Sequence, residues 1–222
     1  MTNAMDFNAL FEFLEDLQNN NHKEWMDIHR KRYQNLRSSF VNWLDTLDEK
    51  LATIDVNYYP TPGKKGINRI NNNLLFHPNK PVYKDHFGAG LDQRTKQGDF
   101  YIEIGLSQCL LAGGYWRPDN KILTSIREAI DYNGEELEKI LDKKSFKDTF
   151  GGILLDPNKL KTTPKGYSSD HRYIDLLRYR TFAVVHPLTK NDVLEENFMD
   201  RVIDVYKEML PFRRYFNEAV TV

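Results

Sequence analysis

The sequence has little of what several classes of protein depend on. Its 222 residues include one cysteine, Cys109, which excludes an intramolecular disulfide framework and a cysteine-rich zinc module. No apolar run approaches the roughly 18 residues that span a bilayer. The first residues carry acidic side chains and no positively charged stretch, which is atypical of a secretory signal peptide. We therefore expect a cytoplasmic protein with no membrane partner.

An excess of either charge is also missing. Lysine and arginine number 31 against 32 acidic residues, so the formal net charge is -1 and a generally basic, nucleic-acid-coating surface is excluded. Hydrophobic residues make up 40% of the chain, which is enough for a sizeable core. The length favours one domain, and no repeat or long linker requires a boundary. We therefore predict a single domain over residues 1–222.

Helical periodicity marks both ends of the chain. N-terminal helices are predicted over about 6–54, the first capped by Asp6 and stopped by the asparagine run 19–21. A helix is predicted over 119–132, with Asn133 and Gly134 as its C-terminal stop. Shorter helices are expected at 135–141, 145–150 and 170–177. A last helix should begin near Glu195, until Pro211 kinks or ends it.

Strand-forming segments cluster in the middle of the chain, over about 67–116. Residues 100–106 and 109–116 are rich in β-formers and close enough to pair as an antiparallel hairpin. Segments 67–73 and 84–91 are weaker strands, and the apolar segment 180–187 is expected at the centre of the sheet. These elements predict an α+β fold with a mostly antiparallel sheet of about five strands, covered by amphipathic helices.

Two stretches of the sequence contain basic residues and no acid. One stretch is 61–84, and the other is 157–169. Unopposed positive charge favours anions, especially where the fold brings such segments together, although lysines also decorate ordinary surface loops. The basic residues concerned are Lys64, Lys65, Arg69, Lys80 and Lys84 in the first stretch, and Lys159, Lys161 and Lys165 in the second.

Other chemical signals in the sequence are weak. The six histidines include no pair four residues apart, so no metal site and no cofactor are predicted. Cys109 lies in an apolar strand, where a thiol behaves as a small inert hydrophobe. Glu103 is a lone carboxylate among strand residues, and it must face either solvent or a basic partner.

The order of several short motifs carries a resemblance to a known family. Residues Arg69, Phe76, Asn79, Lys80 and Tyr83 fit the signature R-x-x-R-D-x-R-F-x-x-[DN]-K-x-x-Y in degenerate form. Further similarity includes 100–103, 113–118, 164–167 and 176–178, and it covers nearly the whole chain. The sequence resembles a mostly bacterial family of conserved hypothetical proteins, domain of unknown function 2461. The resemblance implies a fold and the position of a site, but no reaction.

The chain departs from this signature at three charged positions. Asn72, Asn73 and Leu75 stand where the signature has arginine, aspartate and arginine. If the missing charges are catalytic in relatives, the resemblance implies that this chain has either lost that activity or kept only binding. If they form a structural network of ion pairs, amides and leucine are a permissible repacking.

Two functional hypotheses follow. The first is a basic pocket for a small molecule that carries phosphate or carboxylate, formed by Arg69, Lys80, Tyr83, Lys84 and Lys165, with no nucleic-acid partner. His171 and Asp170 are then a candidate acid–base pair, and Tyr83 supplies a hydroxyl. The alternative is a non-catalytic interaction module that presents basic loops to a protein or nucleic-acid partner. The oligomeric state is left open.

Overall fold

A computed structural model describes residues 5–220 of the chain. Within them, long helices flank a central group of strands, as the periodicity predicts. The helices are α1 (Phe7–Asn19), α2 (Lys23–Ile54), α3 (Gly63–Gly66), α4 (Asn120–Asp142), α5 (Lys144–Phe150), α6 (Ile174–Leu177), α7 (Lys190–Leu194) and α8 (Phe198–Ala219). The strands are β1 (His86–Leu91), β2 (Asp99–Gly105), β3 (Cys109–Tyr115) and β4 (Phe182–Leu188). None of the helices in this range has the length and apolar composition needed to cross a bilayer.

The four strands form one open antiparallel sheet in the order β1-β2-β3-β4. The predicted α+β class and the predicted β2–β3 hairpin are therefore confirmed. The predicted strand over 67–73 is reduced to two isolated antiparallel bridges, Ile67 to Ala89 and Asn71 to Tyr83. Side chains alternate along β2, so that Phe100, Ile102 and Ile104 enter the core while Tyr101 and Glu103 point to the opposite face.

Strand β4 lies at the edge of the sheet, and its expected central position was wrong. Its buried residues Phe182 and Val184 made it resemble a strand with neighbours on both sides. The outer edge is instead covered by an irregular segment, because the backbone N–H of Leu154 donates to Ala183 O at 2.8 Å. A loop can hide an edge as well as another strand does.

By packing, the described chain divides into two compact units. The first comprises 5–93, Tyr101–Leu111 and Pro187–Ile203, and the second comprises Arg94–Phe100, Ala112–His186 and the residues from 204 to 220.

Aromatic rings hold the helices of the first unit together. The Trp43 ring of α2 stacks on Phe198 with centroids 5.7 Å apart, and Phe7 of α1 meets both rings edge-on. Helix α1 begins as predicted, since Asp6 accepts a hydrogen bond from the N–H of Ala9 at 3.0 Å. The short helices α3 and α7 were not predicted.

In the second unit, the predicted end of one helix was wrong, and of the two alternatives at Pro211 the helix end is excluded. Asn133 has non-helical dihedral angles, but α4 continues past it to Asp142, so the predicted stop is a kink within a longer helix. Gly134 lies against the ring of Tyr173, and a Cβ atom there would come within 2.5 Å of it. Helix α8 also continues beyond Pro211, to Ala219, because packing of its buried face outweighs the lost hydrogen bond.

The side chain of Asp48 on α2 binds the segment that follows this helix, and a substitution can test how much this contact stabilises the protein. Its carboxylate is 8% exposed and accepts hydrogen bonds from the Tyr58 hydroxyl and from the N–H of Thr61, the latter at 2.9 Å. Asp48→Ala should lower the free energy of unfolding by about 1–3 kcal/mol, because a buried N–H loses its acceptor. Urea denaturation measures this. Glu49→Ala, on the exposed side of the same helix, is the control, and an equal effect of both changes would contradict the prediction.

Candidate functional site

The family-like signature lies on an irregular hairpin at the free edge of β1. Residues 67–72 run antiparallel to 82–89, held by backbone hydrogen bonds from Asn68 to Gly88 O, from Asn72 to Val82 O and from Lys84 to Ile70 O, at 2.8–2.9 Å. The segment 73–81 forms the exposed tip. The part of the first acid-free stretch that follows α3 therefore forms one surface feature of the first unit, which we call the basic hairpin (residues 67–84).

The side chain of Asn21 anchors the returning arm of the basic hairpin. Its Oδ1 accepts from the N–H of Tyr83 at 2.8 Å, and its Nδ2 donates to Tyr83 O at 3.0 Å. Because a side-chain amide can both donate and accept, Asn21 satisfies the backbone groups of Tyr83 in the way that a neighbouring strand would. The Tyr83 side chain is 6% exposed and within electrostatic range of Arg30 on α2, so its phenol belongs to the packing beneath the hairpin.

Three cations of the basic hairpin lie close together. The Nζ of Lys84 donates to the carbonyl of Arg69 at 2.7 Å. Burial lowers the pKa of the Lys84 ammonium, and the charges of Arg69 and Lys80 lower it further, while Glu103 opposes the shift. Arg69, Lys80 and Lys84 therefore form a region of positive potential in which one ammonium is already partly desolvated.

Beside these cations, Glu103 is the centre of a hydrogen-bonded network. Its carboxylate accepts from the Tyr101 hydroxyl at 2.9 Å and from Gln108 Nε2 at 2.7 Å, and His86 Nε2 lies 3.6 Å away. The residue is 8% exposed, so it faces polar partners and a nearby positive charge instead of open solvent. This resolves the alternative that the sequence left open at Glu103.

His86 is held between two carboxylates. Its Nδ1 donates to Asp85 at 3.1 Å, and a proton on Nε2 would point toward Glu103. Burial raises the pKa of the Asp85 carboxyl, but hydrogen bonds from Ser107 and His86 outweigh it, so that this pKa is lowered overall. Gly88 leaves room for the hydroxyl of Tyr101, because a Cβ atom at position 88 would lie only 2.5 Å from it. A larger residue at this position would displace Tyr101.

The remaining predicted site residues belong to the second unit. Lys165 is exposed, and its expected convergence with the basic hairpin stays a prediction. His171 donates from Nε2 to Asp131 at 2.8 Å, and its Nδ1 accepts from the N–H of Tyr173 at 3.0 Å. Asp170 accepts instead from the hydroxyl of Ser168, which is the main cause of its lowered pKa. The partner carboxylate of His171 is thus Asp131, forty positions earlier in the sequence.

The three positions at which the chain departs from the family signature lie at or near the tip of the basic hairpin. Asn72 is partly buried and donates from its side chain to Pro81 O at 2.9 Å, whereas Asn73 and Leu75 are exposed, Leu75 to 85%. Exposed ion pairs contribute little to stability. The replaced charges therefore do not lie in a buried structural network of this chain, and their loss changes the surface of the hairpin tip.

One cavity beside α2 is acidic, and no metal-binding cluster accompanies the candidate site within residues 5–220. This cavity of about 590 Å³ borders Trp43, but Asp6, Glu195 and Glu196 line it, which is unfavourable for an anion. Within residues 5–220, no group of three or more histidine, cysteine or acidic side chains is placed to hold a metal ion.

Sequence reasoning missed much of the network around Glu103. Tyr101, Asp85 and Gln108 lie on different strands or turns and are ordinary residues in the sequence. The available signal was the alternation along β2, which separates Tyr101 and Glu103 from the apolar residues between them.

Comparison with known proteins agrees with the resemblance. A family model described as conserved hypothetical protein, domain of unknown function 2461, matches residues 9–215. The chain belongs to this family. No significant match to a curated protein or to a solved structure was found. Membership covers both units of this family member and assigns no reaction to either of them.

The buried position predicted for Cys109 is confirmed, and its low reactivity can be measured. The residue is 6% exposed, and its Sγ donates to Gly105 O at 3.3 Å. Burial raises the pKa of the thiol, the backbone of Gly105 opposes this, and the charges of Glu103 and Asp192 add to it. Labelling of the native protein by a thiol reagent at pH 7 should therefore be slow, because little thiolate forms.

The matched control is Ser107→Cys, which places a thiol at an exposed position two residues away. We expect its labelling to be more than about tenfold faster than that of Cys109. Equal rates for the two thiols would contradict the assignment of Cys109 as an inert core residue.

Proposed function

We propose that this family member binds a small anion, a phosphate or a carboxylate, at the cations of the basic hairpin. The single observation that carries the proposal is the environment of Lys84. Its ammonium is partly buried beside two further cations, and the net effect of its surroundings is to lower its pKa. An anion between Arg69, Lys80 and Lys84 would relieve this repulsion and accept charge-assisted hydrogen bonds.

The neighbouring network supports a defined orientation for such an anion. The negative charge of Glu103 would repel an anion that approached Lys84 from the side of this carboxylate. The Tyr101 hydroxyl and Gln108 already donate hydrogen bonds to Glu103, so they do not offer these donors to a ligand. A ligand would therefore approach from the side of Arg69 and Lys80, at the exposed face of the hairpin. Binding is proposed without turnover, because Asn72, Asn73 and Leu75 remove three charges from the signature.

The double variant Lys80→Ala/Lys84→Ala should lose this binding. Each lost charge-assisted hydrogen bond is worth about 1.5–3 kcal/mol, so we expect the dissociation constant to rise at least about tenfold. Wild-type binding should weaken as salt is added, because the site is open to solvent. Thermal-shift screening with inorganic phosphate, nucleotides and dicarboxylates, followed by calorimetry on the best compound, measures both effects.

The matched control is Lys64→Ala/Lys65→Ala, which removes the same charge from exposed residues of α3 in the same acid-free stretch. This variant should keep the wild-type affinity. If no anion stabilises the wild-type protein more than the Lys80→Ala/Lys84→Ala variant, the proposal fails.

A specific observation favours a second candidate function, the presentation of the hairpin to a partner protein. Three consecutive apolar residues are exposed at the tip: Leu74 to 37%, Leu75 to 85% and Phe76 to 73%. Contiguous apolar exposure of this kind is typical of contact surfaces, and the cations that flank it fit an acidic rim on the partner.

A photo-crosslinking amino acid at position 75 tests this candidate in cells. We expect a discrete adduct with one partner, and its yield should fall when Phe76→Ser is added, because the apolar anchor is lost. The same crosslinker at Tyr132, which is 78% exposed on α4, is the control. Equal adduct patterns at both positions, or no adduct at position 75, would contradict a role of the tip in docking.

A further inference from the structure

Two arginines of the second unit are brought together at the junction of β3 and β4. Arg117 follows β3 in the left-handed backbone region, with φ of 47°, which is uncommon for a residue with a side chain. Its N–H donates to the hydroxyl of Thr181 at 3.4 Å, and Thr181 is 1% exposed. Arg180 directly precedes Thr181, so this contact brings the backbone of Arg117 close to that of Arg180.

Both arginines line one small cavity together with one carboxylate, that of Asp156. The cavity has a volume of about 210 Å³, and its lining is formed by Arg117, Pro118, Asp156, Asn158 and Arg180. Arginine ion pairs elsewhere in residues 5–220 include neither Arg117 nor Arg180. Two guanidinium groups at one cavity create a positive potential that suits a phosphoryl group.

The charge of Arg180 also affects a neighbouring residue, Arg127. Burial lowers the pKa of the Arg127 guanidinium, Tyr167 opposes that shift, and the charge of Arg180 lowers it further. Arg127 itself is committed to the backbone, because it donates to Leu177 O at 2.9 Å and to Tyr179 O at 3.4 Å. Arg127 therefore stabilises the backbone at Leu177 and Tyr179 and is not free to bind a ligand, which leaves the guanidinium groups of Arg117 and Arg180 for that role.

The carboxylate in the lining indicates what else the ligand carries. Oδ1 of Asp156 accepts from the N–H of Asn158 at 2.8 Å, whereas Oδ2 is buried and has no hydrogen-bond partner. A buried acceptor without a donor is rare in folded proteins. A hydroxyl group of the ligand would satisfy it, as a sugar does when it donates to a carboxylate.

An aromatic platform adjoins the cavity. The Trp116 ring is 60% exposed, and the Arg117 guanidinium carbon lies 5.2 Å from its centroid. The cavity is smaller than the roughly 300–1,000 Å³ of sites that enclose drug-sized ligands, so it holds only part of such a molecule. Exposed tryptophan beside a phosphate site is suited to stacking by a nucleobase that remains outside.

We propose that Arg117, Arg180, Asp156 and Trp116 form a binding site for a nucleoside phosphate. The phosphoryl group binds between the two guanidinium groups, a ribose hydroxyl donates to Asp156 Oδ2, and the base stacks on Trp116. The site shares no residue with the basic hairpin and does not depend on the function proposed for it.

Calorimetry on the full chain with adenosine 5′-monophosphate tests the proposal. Arg180→Gln and Arg117→Asn should each raise the dissociation constant at least about tenfold, since each removes charge-assisted hydrogen bonds to the phosphoryl group. Asparagine is chosen at 117 because it tolerates the left-handed backbone, and thermal melting checks that each variant folds. Trp116→Leu should weaken binding of the nucleotide but leave binding of ribose 5-phosphate unchanged.

Arg172→Gln is the matched control, because Arg172 is an exposed arginine of the same unit that is paired with Glu138. It should bind the nucleotide as the wild type does. The proposal is overturned if adenosine 5′-monophosphate binds the wild type no tighter than adenosine or inorganic phosphate. It is also overturned if the folded Arg180→Gln variant keeps the wild-type affinity.

Discussion

The pairing of residues 67–72 with 82–89 is the interaction on which the candidate site of the first unit depends. Backbone hydrogen bonds at 2.8–2.9 Å and the two-way contact of Asn21 with Tyr83 fix the register of this hairpin. Because neighbouring residues of an extended chain point to opposite sides, that register buries Tyr83 and leaves Lys84 beside Arg69. A shift of one residue would exchange their roles.

Uncompensated charge distinguishes both candidate sites from the rest of the surface. Many charged side chains within residues 5–220 form exposed pairs, such as Lys139 with Glu135 and Lys144 with Asp148, which contribute little to stability. Lys84 is partly desolvated among cations, and Arg117 and Arg180 line one cavity, although neither of them forms an ion pair within residues 5–220. Positive charge that is left unpaired costs free energy unless solvent or a ligand offsets it, and this cost is the physical reason to expect anions there.

Several elements could be predicted because their signal is local. The β-formers of 100–106 and 109–116 predicted a hairpin, and Asp6 predicted the start of α1 from capping chemistry alone. Other elements failed for non-local reasons. Asn133 and Gly134 are turn residues in isolation, but the packing of Tyr173 on Gly134 carries α4 through them. Likewise, Phe182 and Val184 of β4 are buried without a second neighbouring strand, because the segment at Leu154 pairs with the outer edge of β4.

The sequence by itself determined the α+β class, the membership of the family, the apolar stripes of the helices and the acid-free stretch that became the basic hairpin. These properties follow from composition and from short-range periodicity. Only the tertiary structure decided that Glu103 contacts Tyr101, His86 and Gln108, that His171 pairs with Asp131, and that Arg117 and Arg180 line one cavity. Such contacts join residues far apart in the chain, and their geometry depends on strand register and loop closure, which no local pattern of residues encodes.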